Sequence, residues 1–547
     1  MKTSSLAGIF LFFLVYIGPL GVRPIIIPDE SRYGEIPREM IASGDWVVPR
    51  LNGLRYFEKP VLGYWANAGS MILFGENAFA IRFSSAMAAG LSALMLFFVG
   101  RKFAGGQTTG VLAAAVFLTF LEVYAVSTFS VLDGLFSLFM TGTLVMFFSA
   151  TMEDRAKKKT GLLAVSGIFC GLAFLTKGFL VFALFLVVVV PFMGWERRWK
   201  ELFRVCWIPI LAAVVVSLPW AVLIHIREPD FWHYFFWNEH IRRFLAENAQ
   251  HKESVWYFFL LLPGAALPWT FLLPAAALGL KKDVLVSPIV RFALCWFLFP
   301  FLFFTVSSGK LLTYILPCFP PLAILTATGL LNYLKKGRKK AFSAGVSALA
   351  LMTGIGAVTL LVIQMWGPPG LGPYTQPWKW LLAVAGLLSW GLCSLMSIRT
   401  VRPKKKIALY AAAPLLFLFA GHFILPGLTI EHKAPGDFLM EHVHRIRPAC
   451  LLVSDETTLR AVSWFYKRSD VYLLGSTGEL SYGLGYGDSK HRLLNMEQFR
   501  ELVLRHRGSG RVTLVASARK FEAWKDRLPE PRFEDVSGRD GFVIAQF

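Results

Sequence analysis

The residues able to do chemistry fall in a few short stretches, and each stretch has a plain structural alternative. Pro28-Asp29-Glu30-Ser31-Arg32-Tyr33 places two adjacent carboxylates ahead of an arginine, just after the first apolar run. Charges at a lipid boundary are costly unless they pair or bind something. The acids are therefore either a ligand-binding centre or an interfacial cap paired to Arg32. Arg55-Tyr56-Phe57-Glu58-Lys59-Pro60 sets cations beside aromatic rings, which suits a lipid phosphate or simple snorkelling of Arg55 and Lys59 to the interface. Asp133 opens the apolar run in Leu132-Asp133-Gly134, as a third acid of the site or as a helix cap. Lys177, in Thr176-Lys177-Gly178, reads as a cation closing a helix. The aromatic stretch Phe231 to Phe244 is first a membrane belt, but Glu239, His240 and Arg243 share one helical turn in it, and a Glu/His pair can ligate a divalent metal. Ser308-Gly309-Lys310 leads into Tyr314, adding a lysine and a phenol.

Positioning these residues requires a membrane. A chain of 547 residues, 55% hydrophobic and 17% charged, is too apolar for one water-soluble core. Its net charge of +21 does not point to nucleic acid, because the basic residues are concentrated in alternate loops. Apolar segments near 5–23, 78–100, 108–128, 134–151, 161–176, 178–195, 205–225, 255–280, 288–306, 311–334, 341–365, 378–398 and 407–426 predict about 13 spans. Every second connection is densely basic, as in Arg155 with Lys157 to Lys159 and in Lys335 to Lys340. The positive-inside rule makes those loops cytoplasmic, with the N-terminus inside and the C-terminus outside. Segments 24–77 and 226–254 then fall outside and read as interfacial helices. Apolar runs at 450–453, 471–474, 512–515 and 542–545 predict strands, and helical spacing at 457–468 and 495–507 completes a C-terminal α/β domain. Only Cys450 of the six cysteines lies in it, so it holds no internal disulfide. The domains expected are a transmembrane one over 1–428 and a periplasmic one over 429–547. A transporter is the rival from another class, but no inverted repeat or broken midplane helix is evident.

With these motifs in place, the chain resembles the 4-amino-4-deoxy-L-arabinose lipid A transferases, polyprenyl-phosphate-dependent glycosyltransferases of the C-type fold. The resemblance covers the full length. It rests on Pro-Asp-Glu-Ser-Arg-Tyr at 28–33, Leu-Arg-Tyr-Phe-Glu-Lys-Pro at 54–60, Thr-Lys-Gly at 176–178, Gly-Lys-Leu-Leu-Thr-Tyr at 309–314 and Gly-Glu-Leu-Ser-Tyr-Gly at 478–483. It implies an undecaprenyl-phosphate-linked aminoarabinose donor and a lipid A phosphate acceptor, in a bacterial inner membrane, and hence resistance to polymyxin and other cationic peptides. It makes Asp29 the main catalytic carboxylate and Asp133 its partner. Lys59, Arg243 and Tyr314 would hold the donor phosphate, Arg32 and Tyr33 would line the pocket, and Glu58 with His240 would bind a divalent metal such as zinc. The expected enzyme is an inverting pentosyltransferase acting as a monomer; the alternative is a relative that glycosylates a protein or a different lipid. Gly34, Pro37 and Leu312 stand where the family pattern leads one to expect Ala, Ser and Pro.

Overall fold

The structure, a computed structural model, describes residues 3–242, 252–367, 372, 374–506, 511–538 and 541–547. The chain forms two compact units. One comprises Met1–Pro19, Phe83–Gly372 and Gln376–Ile424; the other comprises Leu20–Arg82, Pro373–Thr375 and Leu425–Phe547.

The first unit is helical. Among the described residues, eight helices are long and apolar enough to cross a membrane, or ten if each of two bent pairs counts as one span. The chain is thus a multi-pass membrane protein. The bends are 65° between Gln107–Leu118 and Leu121–Ser127, and 94° between Tyr257–Ala265 and Trp269–Gly279. The apolar segments predicted at 5–23 and 178–195 give only the shorter helices Ala7–Ile17 and Leu180–Trp195. The one at 407–426 divides at Pro414 into Pro403–Ala412 and Leu415–Gly421, because proline has no N–H to continue the ladder. Small residues let these helices approach closely. A Cβ on Gly279 would lie 1.8 Å from the Gly329 carbonyl oxygen, and one on Gly167 would lie 2.3 Å from that of Pro209.

The second unit is built on a six-stranded sheet. Its order is Leu493–Leu494, Tyr472–Leu474, Leu451–Ser454, Val512–Ser517, Phe542–Gln546, Phe533–Val536. The first four strands are parallel and the last two pair antiparallel. Val453, Leu474, Phe499, Leu514 and Val543 form its buried core. The four strands predicted from apolar runs are present. So are the two helices, as Leu459–Tyr466 and Met496–Arg505, the latter opened by a capping box between Asn495 and Gln498. Phe533–Val536 escapes prediction because only Phe533 is even partly buried, leaving an edge strand without an apolar pattern.

Segment 24–77 belongs to this same unit and is more than a pair of interfacial helices. It contains the helices Asp29–Ser43 and Leu62–Phe74 and a tight hairpin of Arg50–Leu51 with Leu54–Arg55. Asn52 and Gly53 turn the hairpin with φ of 56° and 71°, the positive pair that a two-residue hairpin demands. The Asn52 amide then clamps Val471, donating to its carbonyl at 2.8 Å and accepting from its N–H at 3.0 Å.

Candidate active site

In the second unit, helix Asp29–Ser43 carries the acidic motif in its first turn, where carboxylates complement the helix dipole. The two adjacent acids have separate tasks. Glu30 is fully buried and takes a bidentate pair of 2.6 Å bonds from Arg82, also fully buried. Arg82 donates as well to the carbonyls of Leu20, Arg23 and Pro24, so this pair fastens the chain leading into the helix. Asp29 is left with a side chain 38% exposed, paired to Arg32 one turn on.

Arg32 is the hub of a network. Its Nη1 donates to Glu479 Oε2 at 2.6 Å and to the Tyr56 hydroxyl at 3.2 Å, and the hydroxyl in turn donates to Glu479 at 3.1 Å. Arg460 completes it, donating to the same Glu479 oxygen at 2.8 Å. Two guanidinium groups thus face two carboxylates. Burial alone would push the Glu479 carboxyl up, but the charges of Arg32 and Arg460 outweigh it and hold the pKa down at about 2. For the Tyr56 phenol burial dominates and raises the pKa, keeping it a neutral donor. Glu479 lies in the turn Gly478–Leu480, after strand Tyr472–Leu474, and Arg460 in the helix after the neighbouring strand Leu451–Ser454. Both sit beyond the carboxyl ends of parallel strands, where sheets of this kind place ligands.

Tyr33 is buried, lies under the Arg32 guanidinium at 4.8 Å and stacks on Tyr64 at 6.2 Å. Gly34 has a local reason. A Cβ there would meet the buried Trp464 ring at 3.0 Å and Ile81 at 3.4 Å, so the alanine expected from the family pattern would require the Trp464 ring to give by a few tenths of an ångström. Glu58 is buried, and Lys59 Nζ donates to the Glu58 carbonyl at 2.8 Å.

In the first unit, Asp133 lies in the first turn of Leu132–Thr151, two residues past the cap position at Val131, and is not the cap. Its carboxylate instead takes a 2.7 Å bond from Lys177, the last residue of Ala156–Lys177. The Lys177 ammonium also stands over the Tyr314 ring at 5.1 Å, so Asp133, Lys177 and Tyr314 form one group. The sequence motif alone left Lys177 as a helix-end cation. Arg243 and the side chain of His240 lie outside the described residues. Among the described residues, no three His, Cys, Asp or Glu side chains gather as metal ligands.

Three functional candidates were not singled out from the sequence. Arg460 sits among apolar neighbours in Leu459-Arg460-Ala461-Val462, and an arginine on a helix so apolar is a signal for a buried ion pair. Tyr56, between Arg55 and Phe57, carries no sequence signal that separates a hydrogen-bonding phenol from a packing ring. Glu122 was passed over inside the apolar segment 108–128, although a lone carboxylate at such a place is a functional signal by default.

Comparison with known proteins agrees with this architecture. Residues 4–235 match the family model described as dolichyl-phosphate-mannose-protein mannosyltransferase, and residues 430–544 match the C-terminal domain of arabinosyl transferase ArnT. The crystal structure of ArnT from Cupriavidus metallidurans bound to undecaprenyl phosphate superimposes with a TM-score of 0.83 at 22% identity, covering 100% of this chain and 98% of that one. The chain is therefore a multi-pass membrane glycosyltransferase. Undecaprenyl phosphate-alpha-4-amino-4-deoxy-L-arabinose arabinosyl transferase from Shewanella sediminis is 41% identical over 95% of this chain and 94% of its own. The protein of the same name from Yersinia enterocolitica is 38% identical over 97% and 96%. The chain belongs to this arabinosyl transferase family.

Proposed function

We propose that the chain transfers 4-amino-4-deoxy-L-arabinose from undecaprenyl phosphate to a phosphate of lipid A, at the periplasmic face of the bacterial inner membrane. The observation that carries this reading is the 41% identity, over 95% of the chain, to a relative named for that donor. The reading takes about 13 crossings, with the N-terminus cytoplasmic, residues 1–428 as the transmembrane domain and 429–547 as a periplasmic one. The enzyme acts as a monomer.

The acceptor sets the chemical problem. A phosphate monoester has a second pKa near 6, so the nucleophile is largely ionised at neutral pH and a strong base is not required. Bringing it toward the donor phosphate sets like charges against each other, a repulsion of several kcal/mol at low effective dielectric. Lys59, Arg243 and Tyr314 are assigned to the departing polyprenyl phosphate, stabilising its charge as the sugar gains oxocarbenium character. Asp29 orients the acceptor or takes its residual proton, and Arg32, shared between Asp29 and Glu479, aims that carboxylate. Asp133, neutralised by Lys177, is its partner. The step is a single in-line displacement with inversion at the anomeric carbon. For a divalent ion the ligands assigned are Glu58 and His240, and transfer assayed with and without EDTA tests whether one is needed.

Mass spectrometry of lipid A from cells with and without the chain tests the function. The expected result is a mass increase of one aminopentose that depends on the chain. The match of residues 4–235 to a protein mannosyltransferase model favours a second reading, transfer to protein. Unmodified lipid A together with chain-dependent glycosylation of a periplasmic protein would replace the first reading with the second.

A further inference from the structure

Among the described residues of the first unit, Glu122 is a buried carboxylate to which no role has yet been assigned. Glu122, in the short helix Leu121–Ser127, is 6% exposed, and its Oε1 has no hydrogen-bond partner among the described residues. The helix packs against the turn that carries Tyr314, the helix that Asp133 begins, and Tyr257–Ala265. Asp133 stands near enough for the two carboxylates to repel each other, but its charge is already answered by Lys177 at 2.7 Å. With Glu122 ionised, one negative charge remains over across Asp133, Lys177 and Glu122.

A structural role does not account for it. An acid in the first turn of a helix gains about 0.3–1 kcal/mol from the helix dipole, whereas burying an unpaired carboxylate costs several. In the free protein a proton on Glu122 removes the imbalance; in the complex a ligand that brings a cation removes it, and the donor proposed above carries one, the ammonium on C4 of its sugar.

We infer that Glu122 is the subsite for the sugar ammonium, forming with it the ion pair that selects an amino sugar over a neutral one. The inference rests on the proposed function and deepens it. Glu122 touches the substrate away from the anomeric carbon, while Asp133 and Lys177 stay paired to each other.

The test compares two donors on one preparation: undecaprenyl phosphate carrying 4-amino-4-deoxy-L-arabinose, and its counterpart with a hydroxyl in place of the amine. The quantity read is the ratio of kcat/KM for the two, which cancels any misfolded fraction. A charge-assisted hydrogen bond corresponds to a preference of about tenfold to a hundredfold. Glu122→Gln is expected to erase that factor, and Glu122→Asp, which keeps the charge, to retain most of it. An unchanged ratio in Glu122→Gln overturns the inference. If Glu122→Gln turns over neither donor, the same comparison is read from the rise in Tm that each donor induces, and equal loss for both donors overturns it too. Failure of the wild-type chain to transfer either sugar to lipid A would instead sink the proposed function, so the two failures are distinct.

Discussion

Replacing Glu479 by glutamine removes the charge that holds Arg32 and Arg460 while leaving the shape of the side chain. The carboxyl sits at about 2 against an ordinary 4.5, and at 1.36 kcal/mol per unit this difference contributes about 3 kcal/mol to the folded second unit at neutral pH. Breaking a buried pair by removing one partner independently leads to about 3–5 kcal/mol. The folded pKa is depressed, so the contribution is complete above the unfolded value and is lost as pH falls through 4.5 toward 2. By pH 3 about 1 kcal/mol of it should remain. Hydrogen exchange of the full-length protein, followed by mass spectrometry on peptides covering 459–466 and 472–484, reads this locally. Glu479→Gln is expected to raise exchange there on the order of a hundredfold at pH 7, and the gap from wild type should hold down to about pH 5 and then narrow toward pH 3. Equal protection of the two proteins at pH 7, or a gap that does not change with pH, would refute the argument that the two guanidinium groups set the state of Glu479.

Three further outcomes follow from other contacts. Asp29→Asn should lower transfer about 10²–10⁴-fold with little change in Tm, since its side chain is 38% exposed and its buried partner Arg32 keeps Glu479 as a counter-charge; a sugar-transfer assay that stays within a few fold of wild type removes Asp29 from the chemistry. Arg82→Ala leaves Glu30 buried and strands three backbone carbonyls, so it should cost about 3–5 kcal/mol, visible as a lost or sharply lowered Tm. Gly34→Ala should cost about 1–3 kcal/mol through its clash with Trp464, and pairing it with Trp464→Leu should recover part of that loss in a double-mutant cycle read by thermal unfolding.

Much of the architecture was legible because it depends on pattern over many residues. Apolar runs announced the strands at 451–454 and 512–517 and most long helices, since lipid and a buried parallel sheet both demand unbroken apolar stretches. The breaks at Thr119–Phe120 and Pro414 were not legible, because a bent span and a straight one share the same composition. Candidate site residues stood out where charge lay at a membrane boundary, as for Asp29, Lys59 and Asp133. Their partners were not. Nothing in the spacing of Asp133 and Lys177, 44 residues apart, or of Arg32 and Glu479, 447 apart, says that they meet. Glu30 illustrates the opposite difficulty: it neighbours Asp29 and is chemically its equal, and only burial against Arg82 assigns it to holding the chain rather than to the reaction.

The Arg32–Glu479 pair also governs when the enzyme comes into being during synthesis. The carboxylate that steadies the arginine of the helix bearing Asp29 is made 447 residues after that arginine, about 20–90 s later at ordinary elongation rates. Through that interval the helix can be delivered to the membrane but cannot be braced. A ribosome that stalls, or a transcript cut short before codon 479, yields a chain inserted in the membrane whose Arg32 has no Glu479 to hold it. Synthesis of Glu479 is in this sense the last step in bracing the helix that bears Asp29.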